Sequence, residues 1–487
     1  MLEKIEYPTL YVKNFAKIKE AKIELAPFTL FVGDNNSGKS YLASLIWYVQ
    51  NIDLLYKFYK DKDYPKIESL DNISNNIINE DISNIKIDNN IINDIIKTIN
   101  YVLKNNKEII LNDVFNYSKI KIDELYILEY KIDYDIDIDF LMNKKTDYND
   151  NREIKYYFYI TFRINKYKYQ KEYKNIEIND KNDLSLFLLK KLYSLIFNSK
   201  YQLFLPVSRT GFLLLKDLII QKSISSLFYN PYVAQNNTTL TLPIKIFFEQ
   251  LSSILKKDYI FNFKIQNEEN IKFKNISNFI EKNILEGKIF IENNLFTIPV
   301  TTFPLSEYNT LGNIREIFYK SNNLDDYFSL HVSSAVVTEI TPLTLFLKYG
   351  LDYDNIIMEE PEISLHPYLQ QQLTRVFIKL VNSNTNVLIT THSDTIIQHI
   401  NNMIKLNSNN DERKKYLMNE YGYDEDDLIS KERVRMYQFD VKDDDSTEVK
   451  KLESSEYGFE VPTFHNYLIK VSKEFDDFID NIDNTNE

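Results

Sequence analysis

One octet in the sequence has residue types and spacing suited to phosphate chemistry. Gly33, Asp34, Asn35, Asn36, Ser37, Gly38, Lys39 and Ser40 fit the pattern G-x-x-x-x-G-K-[ST] at every fixed position. A loop without bulky side chains lets backbone N–H groups converge on phosphate oxygens, and the dipole of a following helix adds to their field. In such a loop Lys39 reaches the β- and γ-phosphates of a nucleoside triphosphate, and the Ser40 hydroxyl takes a place on Mg2+. The chain has only eight glycines, and two of them stand at the required places.

A phosphate loop needs a carboxylate at the end of a neighbouring strand. Asn355–Met358 is followed directly by Glu359 and Glu360. Glu359 suits Mg2+ held through its water shell, and Glu360 suits the general base that polarises the attacking water. Adjacent acids at the end of an apolar run are costly unless a metal–phosphate site uses them. Read without that site, they form a solvated acidic turn. His392, in Thr390-Thr391-His392-Ser393, follows a second apolar run and is placed to donate a hydrogen bond to a terminal phosphate.

The elements that must position these groups are legible in the periodicity. Thr9–Asn14, Lys22–Leu25 and Phe28–Val32 read as strands, and Lys39–Val49 reads as a helix. Asn355–Met358, Pro367–Val381 and Val387–Thr390 alternate as strand, helix and strand, which indicates a parallel α/β sheet. The partition expected is an ATPase head formed by 1–50 and 200–400, a largely helical insertion at 51–150, a hairpin and helix at 151–199, and a C-terminal segment at 401–487. That last segment holds a hairpin, Val434–Phe439 with Thr447–Leu452, and an acidic helix. Residues 51–150 show no sustained heptads, so a long coiled coil is not expected there. Ile154–Ile164 alternates with period two and is expected to pair with Tyr167–Tyr173 across Asn165 and Lys166. Residues 261–304 read as further short strands.

The motif set resembles the ATPase domain of OLD-family proteins and their AAA/ABC-like bacterial relatives. Glu359 to Pro367, Thr391 to Ser393, Val12 to Phe15, the Asn35–Ser40 version of the loop, and Leu203 to Arg209 carry the likeness. The resemblance implies a P-loop NTPase with an ABC-type head and a mixed or parallel sheet. It implies ATP and Mg2+ as cofactors, Ser40 and Glu359 at the metal, and Glu360 and His392 as the catalytic pair. His366 falls at the position of the D-loop, and Ser333 with Ser334 at that of the signature motif, without that motif's two glycines. In that family the signature of one subunit closes over nucleotide bound to the other, which implies a homodimer through the head. The members that carry a TOPRIM nuclease domain need about 100 further residues for it, and only 95 follow His392. The likeness therefore points to a separate effector protein, a nuclease or toxin, in anti-phage defence. The competing expectation is a DNA-repair or DNA-structure ATPase of the RecF/SMC kind.

Composition bounds these readings. The net charge of −13 argues against a surface basic all over, while a local basic groove for nucleic acid stays open. The Lys- and Tyr-rich stretch Arg152–Lys174 is one such candidate, although its aromatics share an apolar face that favours sheet packing. Arg209 reads either as a contact to nucleotide or partner head or as an ordinary salt bridge. No cysteine is present, which removes thiolate chemistry and fits a reducing cytoplasm. No apolar stretch approaches membrane-spanning length, so no membrane association and a cytoplasmic location are expected.

Overall fold

A computed structural model describes residues 7–60, 67–79, 83–128, 130–132, 135–146, 154–164, 169–215, 240–255, 271–292, 315–455 and 458–483. The turn at Asn165 and Lys166, and the short strands expected within 261–270 and 293–304, lie outside these residues. The chain forms two compact units. One comprises Met1–Leu25, Leu45–Asp113 and Tyr117–Lys200, and the other Ala26–Ser44, Val114–Asn116 and Tyr201–Glu487.

The chain opens with strands β1 (Thr9–Phe15), β2 (Ile18–Glu24) and β3 (Phe28–Gly33), followed by helix α1 (Lys39–Gln50). Of these, β3 belongs to the second unit, while β1 and β2 belong to the first, which also supplies α2 (Ile52–Tyr56), α3 (Glu68–Ile78), β4 (Asn84–Ile87), most of α4 (Asn89–Phe115), β5 (Glu124–Ile127), β6 (Ile136–Thr146), β7 (Ile154–Ile164), β8 (Tyr169–Ile178) and α5 (Lys181–Phe197). Within this unit β1 pairs antiparallel with both β2 and β5. A second sheet, of order β4-β6-β7-β8, is antiparallel throughout. Among the described residues of 51–150, helices make up most of the regular structure, led by the 27-residue α4. Phe158, Ile160, Phe162 and Ile164 on β7 are buried while Arg163 is exposed, so the period-two face packs against protein.

The second unit continues with β9 (Gln202–Leu205), α6 (Arg209–Leu214), α7 (Leu242–Leu255), α8 (Ile271–Asn283), β10 (Gly287–Glu292), β11 (Glu316–Ser321), β12 (Phe328–Ser329) and α9 (Ala335–Tyr349). After them come β13 (Asn355–Glu359), α10 (Pro367–Asn382), β14 (Asn386–Thr391), α11 (Asp394–Asn407), α12 (Asp411–Tyr421), β15 (Val434–Val441), β16 (Thr447–Leu452) and α13 (Pro462–Asp483), with a short pair, Ser454–Ser455 and Gly458–Phe459, between the last two. Its main sheet runs β16-β15-β3-β14-β13-β9. β9, β13, β14, β3 and β15 are parallel, and β16 pairs antiparallel with β15.

The parallel strands are apolar runs buried on both faces, as a covered parallel sheet requires. Phe28, Leu30 and Val32 of β3 join Ile356, Met358, Val387 and Ile389 in one core with Leu343 and Phe346 of α9, Phe377 of α10, and Ile397 and Ile400 of α11. Each fully buried side chain of this size stabilises the fold by roughly 1.5–3 kcal/mol. The units group the chain differently from the sequence partition. β1 and β2 fall in the first unit, and the C-terminal hairpin joins the main sheet because β15 pairs in parallel with β3. Pairing between strands about 400 residues apart leaves no local pattern to read.

Candidate functional site

In an open parallel sheet, ligands bind outside the carboxyl ends of the strands. β3 ends at Gly33, β14 at Thr391 and β13 at Glu359, and these three are adjacent in the sheet. The register sets Thr391 beside Val32 and Glu359 beside Thr390. Three sequence motifs remote in the chain are thereby brought to one edge.

The phosphate loop turns on residues that accept left-handed backbone. Gly33 has φ +119° and Gly38 φ +92°, with Asn36 at φ +57° between them. A Cβ at Gly33 would overlap the Phe439 carbonyl oxygen on β15, so both conformation and space demand glycine. The loop is tied to β15 from both directions: the Asp34 amide donates to Phe439 O at 3.1 Å, and the Val441 amide donates to Asp34 Oδ2 at 3.0 Å. Asn35 and Asn36 are exposed at the tip, and Ser37 is buried.

Lys39 opens α1 with its ammonium folded onto the loop. It donates to Asp34 O at 2.5 Å, to Gly33 O at 3.1 Å and to Ser37 Oγ at 3.3 Å. Only 5% of the residue is exposed. Burial pushes its pKa down from 10.5 to about 8, against the opposing pull of Glu360, Asp34 and Glu362. Ser40, one residue on, donates its hydroxyl to the Glu359 carboxylate, which also accepts from the Val207 amide at 3.2 Å. Burial raises the Glu359 pKa, and those two hydrogen bonds hold it back.

Glu360 sits at φ +41°, in the left-handed region, with its amide donating to Thr390 O at 2.8 Å. Its Oε1 lies 3.9 Å from His392 Nε2. The His392 ring also bonds to the Gly33 backbone, and its own amide donates to Glu362 Oε1 at 2.6 Å. Burial, and then the charge of Lys39, lower the His392 pKa below its ordinary 6.5, so the imidazole is neutral at pH 7.

Arg209 is fully buried. Of its two sequence readings, the ordinary salt bridge is the one found. The guanidinium pairs with Glu339 on α9 and donates to the backbone oxygens of Pro206, Glu359 and Glu360. Glu339 also accepts from the Thr210 hydroxyl. Burial pushes Glu339 up and Arg209 down, and each charge opposes the shift of the other.

Gly33, Ser37, Gly38, Lys39, Ser40, Glu359, Glu360 and His392 therefore share one site. Ser333 and Ser334 make their own contacts elsewhere. Ser333 Oγ donates to Ser329 O at 3.1 Å, and Ser334 caps α9 by accepting from the Val337 amide at 3.4 Å. His366 is exposed and caps α10 through the Tyr368 amide. Two acids escaped the sequence reading. Glu362 had a signal in the repeated acids of Glu359-Glu360-Pro361-Glu362, and Glu339 had one as a lone acid within the apolar helix Ala335–Tyr349.

The sequence profile of the AAA ATPase domain matches residues 8–397. The chain belongs to this AAA ATPase family. It binds and hydrolyses ATP, and the loop at Gly33–Ser40 has the spacing of a phosphate-binding motif within the matched residues. No curated protein sequence matches this AAA ATPase significantly. Among solved structures it is similar to an SMC head bound to the C-terminal winged-helix domain of ScpA, at 12% identity over 92% of this chain and 98% of the other, with a TM-score of 0.35. It is similar to the Pyrococcus furiosus Smc head domain with an extended coiled coil, bound to the C-terminal domain of ScpA, at 12% identity, 97% and 100% coverage and a TM-score of 0.33. For the SMC head domain from Thermotoga maritima the values are 10%, 92% and 100%, and 0.31. Among the described residues of the AAA ATPase, no helix is long and apolar enough to cross a membrane.

Proposed function

We propose that this ATPase is a Mg2+-dependent, dimeric, nucleotide-gated switch. The observation that carries the reading is the meeting of Lys39, the Ser40–Glu359 pair and the Glu360–His392 pair at one edge of the sheet. Ser40 and Glu359 offer hard oxygen donors side by side, a set that suits Mg2+. The burial that raises the Glu359 pKa would be offset by a cation there. Ser40 and Glu359 would hold Mg2+, which would supply charge neutralisation on the triphosphate.

The remaining steps belong to the chain's own residues. Lys39 leaves the loop carbonyls for the β- and γ-phosphates. Glu360 orients the attacking water and takes its proton. His392, whose neutral ring carries a single N–H, turns that donor from the Gly33 backbone to the terminal phosphate. The dimer reading draws support from the surface around Ser333 and Ser334, where Val332 is 72% exposed, and from Tyr368 beside His366, 58% exposed. In it the start of α9 closes over nucleotide bound to a second copy. The finer role, control of a separate nuclease or toxin in anti-phage defence, rests on the resemblance of the motif order to OLD-family ATPases.

Glu360→Gln tests this reading. The variant is expected to bind ATP and accumulate a dimer detectable by light scattering, with turnover reduced by about 10²–10⁴-fold. Normal turnover in that variant refutes the assignment of the base. Strong stimulation of the wild-type ATPase by duplex DNA would favour the DNA-structure reading over the switch.

A further inference from the structure

We propose that the buried Arg209–Glu339 pair is the positioning element for the general base, fixing the backbone on both sides of the Glu360 Cα so that its carboxylate meets the attacking water. The proposal rests on the assignment of Glu360 as that base. The Glu359 carbonyl belongs to the peptide before the Glu360 Cα, and the Glu360 carbonyl belongs to the peptide after it. Arg209 Nη1 donates to the first at 2.6 Å, and Nη2 donates to the second at 3.1 Å. One planar guanidinium thus holds both peptide planes that define the φ and ψ of Glu360.

This grip matters because Glu360 occupies φ +41°, a region in which a side chain other than glycine is strained. Such a conformation persists only where its surroundings over-determine it. The Glu360 amide is held from the sheet by Thr390 O, and Arg209 holds the two carbonyls. Arg209 is itself fixed. A third carbonyl, that of Pro206, accepts from Nη1 at 3.1 Å, and Glu339 pairs with Nη2. Glu339 is in turn held by the Thr210 hydroxyl, and both members of the pair are buried. Arg209 lies behind the turn and touches no reacting atom, so it is a positioning residue rather than a catalytic one.

Removing one member leaves the other as a buried, unpaired charge, so a single deletion confounds folding with catalysis. The double variant Arg209→Met, Glu339→Leu removes both charges and keeps an apolar filling. The conservative variant Arg209→Lys keeps the charge opposite Glu339 but loses the fork that reaches both carbonyls. Steady-state ATPase kinetics, fluorescent-nucleotide binding and thermal unfolding are measured on both.

The expected result is a folded protein whose nucleotide affinity stays within about threefold of wild type, with kcat lower by roughly 10²-fold in the double variant and at least about tenfold in Arg209→Lys. Wild-type kcat in either variant overturns the proposal. Unfolding of both also counts against it, because the pair is then a determinant of the fold and not a positioning element. Glu360→Gln run alongside separates the two assignments. If it turns over normally, the base reading fails by itself. If it is inactive while the double variant retains full turnover, only the positioning role fails.

Discussion

ATP binding is expected to draw a proton onto Lys39 at mildly alkaline pH. In the free protein its ammonium is buried against Gly33 O, Asp34 O and Ser37 Oγ, and its pKa is pushed down to about 8. Phosphate oxygens, whose last pKa is about 6, are already ionised under these conditions. Their charge favours the ammonium form and returns the lysine toward its ordinary 10.5. The bound state then holds more protons than the free state between those two values. From a free pKa of about 8, uptake is about 0.1 proton per ATP at pH 7, about 0.5 at pH 8 and about 0.9 at pH 9. By the same linkage, affinity weakens with rising pH above 8 and approaches a tenfold loss per unit. Isothermal titration calorimetry in buffers of different ionisation enthalpy measures the uptake directly. Uptake below about 0.1 proton at pH 9, or the same value at every pH, would show that Lys39 is not the buried, partly neutral group described.

Two further outcomes follow from the fold. Gly33→Ala forces a Cβ into the Phe439 carbonyl at φ +119°, and thermal unfolding is expected to show a loss of at least about 2 kcal/mol; an unchanged midpoint would contradict the close approach of β3 and β15. His399 is buried and its pKa is pushed down to about 4 by burial, with the charge of Arg375 adding to the effect. The unfolded chain then binds the extra proton between pH 6.5 and 4, so stability falls as pH drops through that window, by up to about 3 kcal/mol from this group. Urea unfolding of His399→Gln should be less sensitive to acid than wild type over the same range, and equal slopes would remove His399 as the cause.

The chemistry of the site was largely legible in the residues. The phosphate loop carries its own spacing, because backbone amides, a lysine and a hydroxyl must all reach one short triphosphate. The acids at Glu359 and Glu360 and the imidazole at His392 stood out because polar groups at the ends of apolar strands need a reason to be there. Apolar runs and period-two alternation likewise mark β3, β7, β13, β14 and the hairpin β15–β16 in the sequence.

What belonged to the tertiary structure was the pairing of distant strands and the partners of buried charges. Nothing local in β15 announces that it lies parallel to β3 and holds the phosphate loop through Phe439 O and the Val441 amide. Arg209 read equally well as a contact to nucleotide or as a salt bridge, and only its full burial against Glu339 and two site carbonyls decided between them. A sequence displays the groups able to do chemistry, since residue type and spacing limit what they can bind. Which charge neutralises which inside the protein depends on distances of a few ångströms between residues more than 100 positions apart, and folding alone sets those distances.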